Sequence, residues 1–180
     1  MSTLWAVRHA PVDAAGLCYG RSEVAPRIPD DAAAARVLAL GTWPIAQVWS
    51  SPSARCRGPA EQLAAALAAP LTIDERLYEL DFGAWEGQRW DTLAAHDPAA
   101  LRRWTDDWQA AAPPGGETVA DLEQRVRAWW TALARGHDHL LIAHAGVIRA
   151  LRVIAGADWP TAMALEIPHL TPHRFALTCA

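Results

Sequence analysis

The sequence of residues 139–151, HLLIAHAGVIRAL, contains the pattern that decides the fold. Its first part, up to His144, is a continuous apolar run with the length and composition of a buried strand. From Gly146 to Gly156 apolar side chains recur at helical spacing, so a helix is predicted directly after the strand. A buried strand that leads at once into a helix is the repeating unit of an α/β sheet.

The same alternation of strands and helices extends on both sides of this stretch. Strands are predicted at residues 4–7, 46–50, 71–74, 139–144, 164–167 and 174–179. Helices are predicted at residues 30–40, 51–69, 90–96, 98–109, 118–135 and 146–156, with Gly41 as the stop of the first, Ser51 as the cap of the second and Pro52 as its first residue. This order predicts an α/β fold of three layers, with a mostly parallel central sheet, helices on both faces and an antiparallel edge strand.

Length and composition limit the class of protein. The chain has 180 residues, which fits a single domain over residues 1–180. A net charge of −4 gives no basic excess for a nucleic-acid polymer, and no apolar stretch is long enough to predict a membrane segment. Cys18, Cys56 and Cys179 are too far apart to suggest a disulfide framework, and no signal peptide is visible, so we expect a cytoplasmic protein. The oligomeric state is left open, with a dimer among the alternatives.

Candidate functional residues lie where the predicted strands end. In an open α/β sheet, ligands bind beyond the carboxyl ends of the strands. Arg8 and His9 follow the first strand, Arg55 begins the helix after the second, Glu79 follows the third, and His144 ends the fourth. Taken alone, each is better explained as a packed histidine, a surface arginine or a turn carboxylate. Five such residues at one edge favour a shared site.

These residue types suit phosphate chemistry. Two guanidinium groups present forks of donors that match phosphate oxygens, and a helix that begins after His144 adds backbone N–H groups. An unprotonated imidazole can attack phosphorus, and Glu79 can protonate the departing oxygen. Because cationic side chains supply the positive charge, we expect no metal and no cofactor.

Five segments of the chain resemble the histidine phosphatase superfamily, whose fold is phosphoglycerate mutase-like. The resemblance covers nearly the whole chain and rests on segments that share the order and spacing of the family pattern. They are VRHA (7–10), SSPSAR (50–55), LYELDFGAWEG (77–87), PPGGET (113–118) and LLIAHAGVIRAL (140–151).

The resemblance implies a role for each candidate. His9 would be the nucleophile that becomes phosphohistidine, and Glu79 would be the acid that protonates the leaving group and later deprotonates water. The phosphoryl-binding set would comprise Arg8, Arg55, His144 and Ala145. Arg57 competes with Arg55 by composition, but the spacing from serine to arginine in the family favours Arg55.

A narrower resemblance lies in residues 16–26, GLCYGRSEVAP, which look like the corresponding loop of the alpha-ribazole phosphatases. It implies that Tyr19, Arg21 and Ser22 border the substrate pocket, although a simple glycine turn explains the loop equally well. Two positions depart from the family. Ala10 stands where glycine or threonine is usual, and Glu23 stands where aspartate is usual.

The function predicted is hydrolysis of a small-molecule phosphomonoester through a phosphohistidine, with alpha-ribazole 5′-phosphate of cobalamin biosynthesis as a candidate substrate. One alternative is a mutase of the phosphoglycerate type, which the short segment between Glu79 and His144 disfavours. The other is a catalytically silent phosphate-binding domain, which the presence of all five candidate residues disfavours.

Overall fold

The computed structural model describes residues 2–177. Its strands are β1 (Ser2–Arg8), β2 (Ile45–Ser50), β3 (Leu71–Ile73), β4 (Asp138–Ala143) and β5 (Pro172–Leu177). Its helices are α1 (Asp30–Leu38), α2 (Ala54–Leu67), α3 (Trp90–His96), α4 (Pro98–Asp106), α5 (Val119–Ala132), α6 (Ala145–Ile154) and α7 (Trp159–Ala164). Short 3-10 helices span Glu75–Leu77 and Gly83–Trp85.

The five strands form one sheet in the order β3-β2-β4-β1-β5. Neighbouring strands are parallel except β1 and β5, which pair antiparallel at one edge. β1 therefore lies between β4 and β5, which come much later in the chain. This topology confirms the predicted three-layer α/β fold with a mostly parallel sheet.

Two apolar cores cover the two faces of the sheet. Leu4 and Ala6 of β1 face a core with Trp129 of α5 and Ile148 of α6. Val7, the next residue of the same strand, belongs to the opposite core, which is formed with α1 and α2. This period-2 alternation holds β1 rigidly, because each successive side chain is packed on the opposite face.

A third and smaller apolar cluster lies beside the sheet. It consists of Cys18, Trp85, Leu93 and Ala100, with further tryptophan and leucine side chains packed against it. Helices α3 and α4 therefore pack largely on one another and on the loop around Cys18. Within the described residues, no helix has both the length and the apolar character needed to cross a bilayer.

The prediction of a strand at residues 164–167 is wrong. Ala164 is the last residue of α7, a helix that the sequence patterns missed. The start of α7 is a side-chain cap, in which the Asp158 carboxylate accepts a hydrogen bond from the Thr161 N–H, and Pro160 follows in the first turn. The final predicted strand is β5, and Thr178 and Cys179 lie outside the described residues.

Helix α2 begins later than its serine-proline sequence suggested. Ser53, not Ser51, precedes its first residue, and the Ser53 side chain makes no capping hydrogen bond. Ser51 continues the strand edge, because its N–H donates to the Ile142 carbonyl. The Glu23 carboxylate instead accepts hydrogen bonds from the Ala54 N–H at the start of α2. This loop position, which departs from the family pattern, thus carries an anion at a helix N-terminus.

Candidate active site

The carboxyl ends of β1 and β4 and the start of α2 open into a cleft of about 650 Å³. All five candidates from the strand ends line it, namely Arg8, His9, Arg55, Glu79 and His144. Arg57, the rival to Arg55, is exposed and pairs with Glu61 one helical turn later. The topology therefore brings together the five residues that the sequence placed at one edge.

His9 is buried and held in one orientation. Its Nδ1 lies 2.7 Å from the carbonyl oxygen of Ala10, so Nδ1 carries the proton and Nε2 keeps its lone pair. Burial lowers the pKa of His9 to about 3; the bond to Ala10 opposes this shift, and the charge of Arg55 adds to it. At neutral pH the imidazole is uncharged, as a nucleophile requires.

His169 supports His9 from behind. Its Nδ1 donates to the His9 carbonyl oxygen at 2.6 Å, and the two rings meet edge to face with centroids 5.2 Å apart. The sequence pattern did not single out this residue for the site, because His169 lies 160 positions from His9 in the chain.

His144 lies at the junction of β4 and α6 and is buried against His9, with ring centroids 5.3 Å apart. Arg55 can only donate, so His144 Nδ1, 3.5 Å from Arg55 Nη2, accepts, and Nε2 donates to the Ser51 hydroxyl oxygen at 2.8 Å. Burial, followed by the proximity of His9 and Arg55, which disfavours a further positive charge, keeps the pKa of His144 well below its usual value. The site therefore holds two neutral imidazoles.

Arg55 is fully buried in the first turn of α2. Its Nη1 donates to the Ser22 carbonyl at 2.8 Å, its Nη2 donates to the Gly20 carbonyl, and its guanidinium lies 5.5 Å from the Tyr19 ring centroid. No carboxylate among residues 2–177 forms an ion pair with it. A buried, permanently charged guanidinium without such a partner is suited to bind an anion from the cleft.

Two further arginines line the cleft. Arg8 donates from Nη1 to the Ile167 carbonyl at 2.9 Å, which fixes its side chain at the end of β1. Arg149, on the first turns of α6, was not among the sequence candidates. It donates to the Leu165 carbonyl at 3.3 Å, and burial lowers its pKa. The cleft thus presents three guanidinium groups and one carboxylate, a distribution that favours an anionic ligand.

Glu79 is held by backbone N–H groups. Its Oε1 accepts from the Leu80 N–H and its Oε2 from the Gly146 N–H, each at 3.0 Å. A Cβ at position 146 would lie 2.1 Å from Glu79 Oε1, so only glycine allows the carboxyl group to approach α6 this closely. Arg125 binds the Glu79 carbonyl at 2.9 Å and so fixes the segment that carries it.

The loop at residues 19–22 contributes to the site in two different ways. Tyr19 lines the cleft, but Arg21 and Ser22 do not. Arg21 instead forms ion pairs with Glu117 at 2.8 Å and with Asp81 at 3.4 Å. The position of Arg21 beside the glycine turn did not predict these two partners. Ser22 contributes its carbonyl to Arg55. Ala145, the first residue of α6, is likewise absent from the lining.

The side of the cleft away from the strand ends is mostly aromatic. Its rings are Phe82, Trp90, Trp104, Trp108 and Trp159. Trp90 and Trp104 are stacked with centroids 6.0 Å apart, and Trp108 meets Trp159 edge to face at 6.3 Å. Across the described part of the chain, no three His, Cys, Asp or Glu side chains are grouped so that they could hold a metal ion.

Comparison with known proteins identifies the family of this site. The model of the histidine phosphatase superfamily (branch 1) matches residues 4–176. The chain belongs to this superfamily. The resemblance seen in the five sequence segments is thereby confirmed, and the two histidines and two arginines lie at the same end of the sheet as the pattern implied.

Sequence identity between this chain and individual matched proteins is low to moderate. A bifunctional protein of Mycobacterium tuberculosis is 36% identical over 136 residues, which cover 76% of this chain and 31% of that protein. The chain thus spans about a third of the length of this relative. The alpha-ribazole phosphatase of Shigella flexneri superposes with a TM-score of 0.87 at 23% identity, over 98% of this chain and 91% of that one. A mycobacterial glucosyl-3-phosphoglycerate phosphatase gives 0.82 at 23% identity, over the same shares of the two chains. At 23% identity these two likenesses show a shared fold and nothing beyond it.

Proposed function

We propose that this protein hydrolyses small phosphomonoesters through a phosphohistidine at His9. The observation that carries the proposal is the state of His9. Its imidazole is buried and neutral, with Nδ1 bound to a carbonyl and Nε2 unprotonated, and it shares a cleft with Arg8, Arg55 and the Glu79 carboxyl. The activity is assigned to the chain as a single catalytic domain.

In the first step His9 Nε2 attacks phosphorus. The new N–P bond forms as the bond to the leaving oxygen breaks, and the Glu79 carboxyl group gives a proton to that oxygen. Arg8 and Arg55 bind the non-bridging oxygens and stabilise the charge on the transferring group. His144, neutral and fixed by Ser51, completes the pocket around the phosphoryl group.

In the second step water attacks the phosphohistidine. Glu79, now a carboxylate, accepts a proton from the water, the O–P bond forms, and the N–P bond breaks. Inorganic phosphate leaves, and His9 returns to its neutral state with Glu79 protonated. In both steps Arg8 and Arg55 donate to the same phosphoryl oxygens. These oxygens keep their positions while phosphorus moves between His9 Nε2 and the oxygen of the substrate or of water.

The aromatic side of the cleft supports a substrate whose leaving group carries a planar ring. Aromatic side chains bind rings by offset or edge-to-face contact and supply large apolar areas. We include alpha-ribazole 5′-phosphate in this class, since its leaving group carries an aromatic base, and the Shigella flexneri neighbour is an alpha-ribazole phosphatase. The small phosphate pocket and the larger aromatic wall match the two parts of such an ester.

Trapping the covalent intermediate tests the proposal. Brief reaction with a ³²P-labelled ester followed by denaturation in base is expected to leave acid-labile, base-stable label on the wild-type protein. His9→Ala should carry no label and should lose at least about a thousandfold in turnover. His96→Ala, which changes an exposed histidine of α3, is the matched control and should label normally.

Two results would contradict the proposal. One is normal hydrolysis by His9→Ala, and the other is release of an isomeric ester in place of inorganic phosphate, which would identify a mutase.

A further inference from the structure

Glu86 is an acidic residue of the cleft region for which the proposed reaction has no use. It follows the 3-10 helix Gly83–Trp85, and its carboxylate lies inside the turn formed by residues 20–22. Both oxygens accept from the Gly20 N–H at 3.1 Å, Oε1 accepts from Arg21 N–H and Oε2 from Ser22 N–H, each at 2.9 Å. The Ser22 hydroxyl also donates to Oε2.

The carboxylate is bound as an anion. Burial alone would raise the pKa of Glu86, but the hydrogen bonds from the Ser22 side chain and from three backbone N–H groups keep it below its usual value. The Phe82 N–H adds a further bond at 3.1 Å. Glu86 thus gathers the N–H groups of three consecutive residues around one charge.

The opposite side of the same turn binds Arg55. While the N–H groups of Gly20 and Ser22 point to Glu86, their carbonyl oxygens accept from the guanidinium of Arg55. These carbonyls, the Tyr19 ring and His144 Nδ1 are neutral contacts. The position of the Arg55 guanidinium therefore depends on where Glu86 holds the turn.

The turn has little freedom to move. A Cβ on Gly20 would lie 1.8 Å from the Leu80 carbonyl oxygen and 2.8 Å from Glu86 Oε1. The backbone therefore lies directly against the segment that follows Glu79. Packing this close blocks movement of the turn toward Leu80, so the turn can respond to loss of the Glu86 bonds only by small shifts, which its carbonyl groups pass on to Arg55.

We propose that Glu86 is a positioning residue that sets the Arg55 guanidinium for the phosphoryl group by holding the turn at residues 20–22. The inference rests on the proposed function, in which Arg55 binds the phosphoryl oxygens. Glu86 touches neither the substrate nor the reacting atoms. It acts through two backbone carbonyls, and its contribution disappears when Arg55 is absent.

A double-mutant cycle on anion affinity tests this dependence. Binding of inorganic phosphate and of orthovanadate is measured by calorimetry for the wild type, Glu86→Gln, Arg55→Ala and the double variant. Glutamine keeps the size of the side chain but directs an amide NH₂ at the backbone N–H groups. Glu86→Gln should weaken binding of both anions about tenfold in the wild-type background and less than twofold in the Arg55→Ala background.

Two variants separate positioning from general damage. Asp121→Asn alters an exposed carboxylate that also accepts from a backbone N–H and a neighbouring hydroxyl, and should leave anion affinity unchanged. Ser22→Ala removes one of the bonds to Glu86 and should give a smaller loss than Glu86→Gln. Thermal unfolding of each variant is recorded alongside, because a loss of affinity that tracks stability across the set, including Asp121→Asn, would overturn the proposal.

These outcomes distinguish failure of the positioning role from failure of the proposed function. Equal losses from Glu86→Gln with and without Arg55 would overturn the positioning role and leave the proposed function intact. A wild-type protein that binds neither anion would overturn the proposed function and, with it, this role.

Discussion

The two sides of the cleft are built in different ways. The phosphoryl half, formed by Arg8, His9, Arg55 and His144, lies on strand ends and on the first turn of a long helix. Its histidines and Arg55 are buried, and each of the four side chains is fixed by named hydrogen bonds. Two apolar cores hold this end of the sheet from both faces.

The aromatic half, formed by Phe82, Trp90, Trp104, Trp108 and Trp159, is supported by much shorter elements. Helices α3 and α4 have seven and nine residues, and their apolar cluster is small. The rings are only partly buried. Under the proposed function, the comparison teaches that the chemistry is fixed to the rigid sheet, whereas the leaving group is bound by a region whose side chains can change without disturbing the sheet.

Among changes outside the phosphoryl half, Glu79→Gln should have the largest effect, because it removes the proton donor and leaves that half in place. We expect turnover of ethyl phosphate, whose alkoxide is a poor leaving group, to fall by on the order of 10²–10³, and turnover of 1-naphthyl phosphate to fall less, with phosphate affinity unchanged within about twofold. Steady-state rates on 1-naphthyl phosphate and ethyl phosphate measure this. Glu75→Gln, an exposed change four residues earlier, is the control, and equal losses in turnover and phosphate affinity would contradict the acid role.

Trp108→Ala should have a smaller effect that depends on the leaving group. The ring lies outside the apolar cluster of α3 and α4 but contacts Trp159 in the cleft, so its loss removes stacking area without unfolding the region. KM for 1-naphthyl phosphate should rise about tenfold, while KM for ethyl phosphate should stay within about twofold. Trp43→Ala, a tryptophan packed on Trp5 away from the cleft, should change neither. A parallel rise for both esters would remove the distinction between the halves.

The third prediction concerns the dependence of stability on pH. Burial lowers the folded-state pKa of His9 from 6.5 to about 3, so between these values the unfolded chain takes up a proton that the folded protein does not. The free energy of unfolding should therefore fall as the pH decreases, with His9 contributing up to about 1.4 kcal/mol per pH unit. Urea unfolding of His9→Asn between pH 6.5 and 4 should show a flatter slope than the wild type. His96→Asn in α3 should match the wild-type slope, and a matching slope for His9→Asn would show that burial of this imidazole carries no such cost.

The sheet and the phosphoryl half could be read from the sequence because both follow from local patterns. Apolar runs that end at Arg8–His9 and at His144 predict strands, and parallel strands bring their carboxyl ends to one edge. The same logic failed at residues 164–167, where the capping side chain of Asp158 and a proline start a helix that apolar content alone does not reveal. Ser51 matched a capping pattern because Pro52 follows it, whereas its bond to His144 joins residues 93 positions apart and leaves no local signal.

The remaining parts of the site depend on contacts between distant segments. Arg149 reaches the cleft because α6 packs beside Glu79, and nothing in its own helix distinguishes it from a surface arginine. Glu86 was part of the recognised LDFGAWEG segment, but its bonds to residues 20–22 span more than sixty positions. Such pairings become visible only when the chain has been folded.

The position of β1 between β4 and β5 sets the timing of assembly during synthesis. The N–H of Thr3 bonds to a carboxylate on Asp138, 135 positions later, and the other neighbour of β1 is translated later still. At ribosomal rates the strand that leads into His9 waits on the order of ten seconds without a partner on either edge. Its apolar residues are exposed to chaperones and to other nascent chains throughout that interval. Strand β1 therefore gains partners on both edges only after β5 has been made.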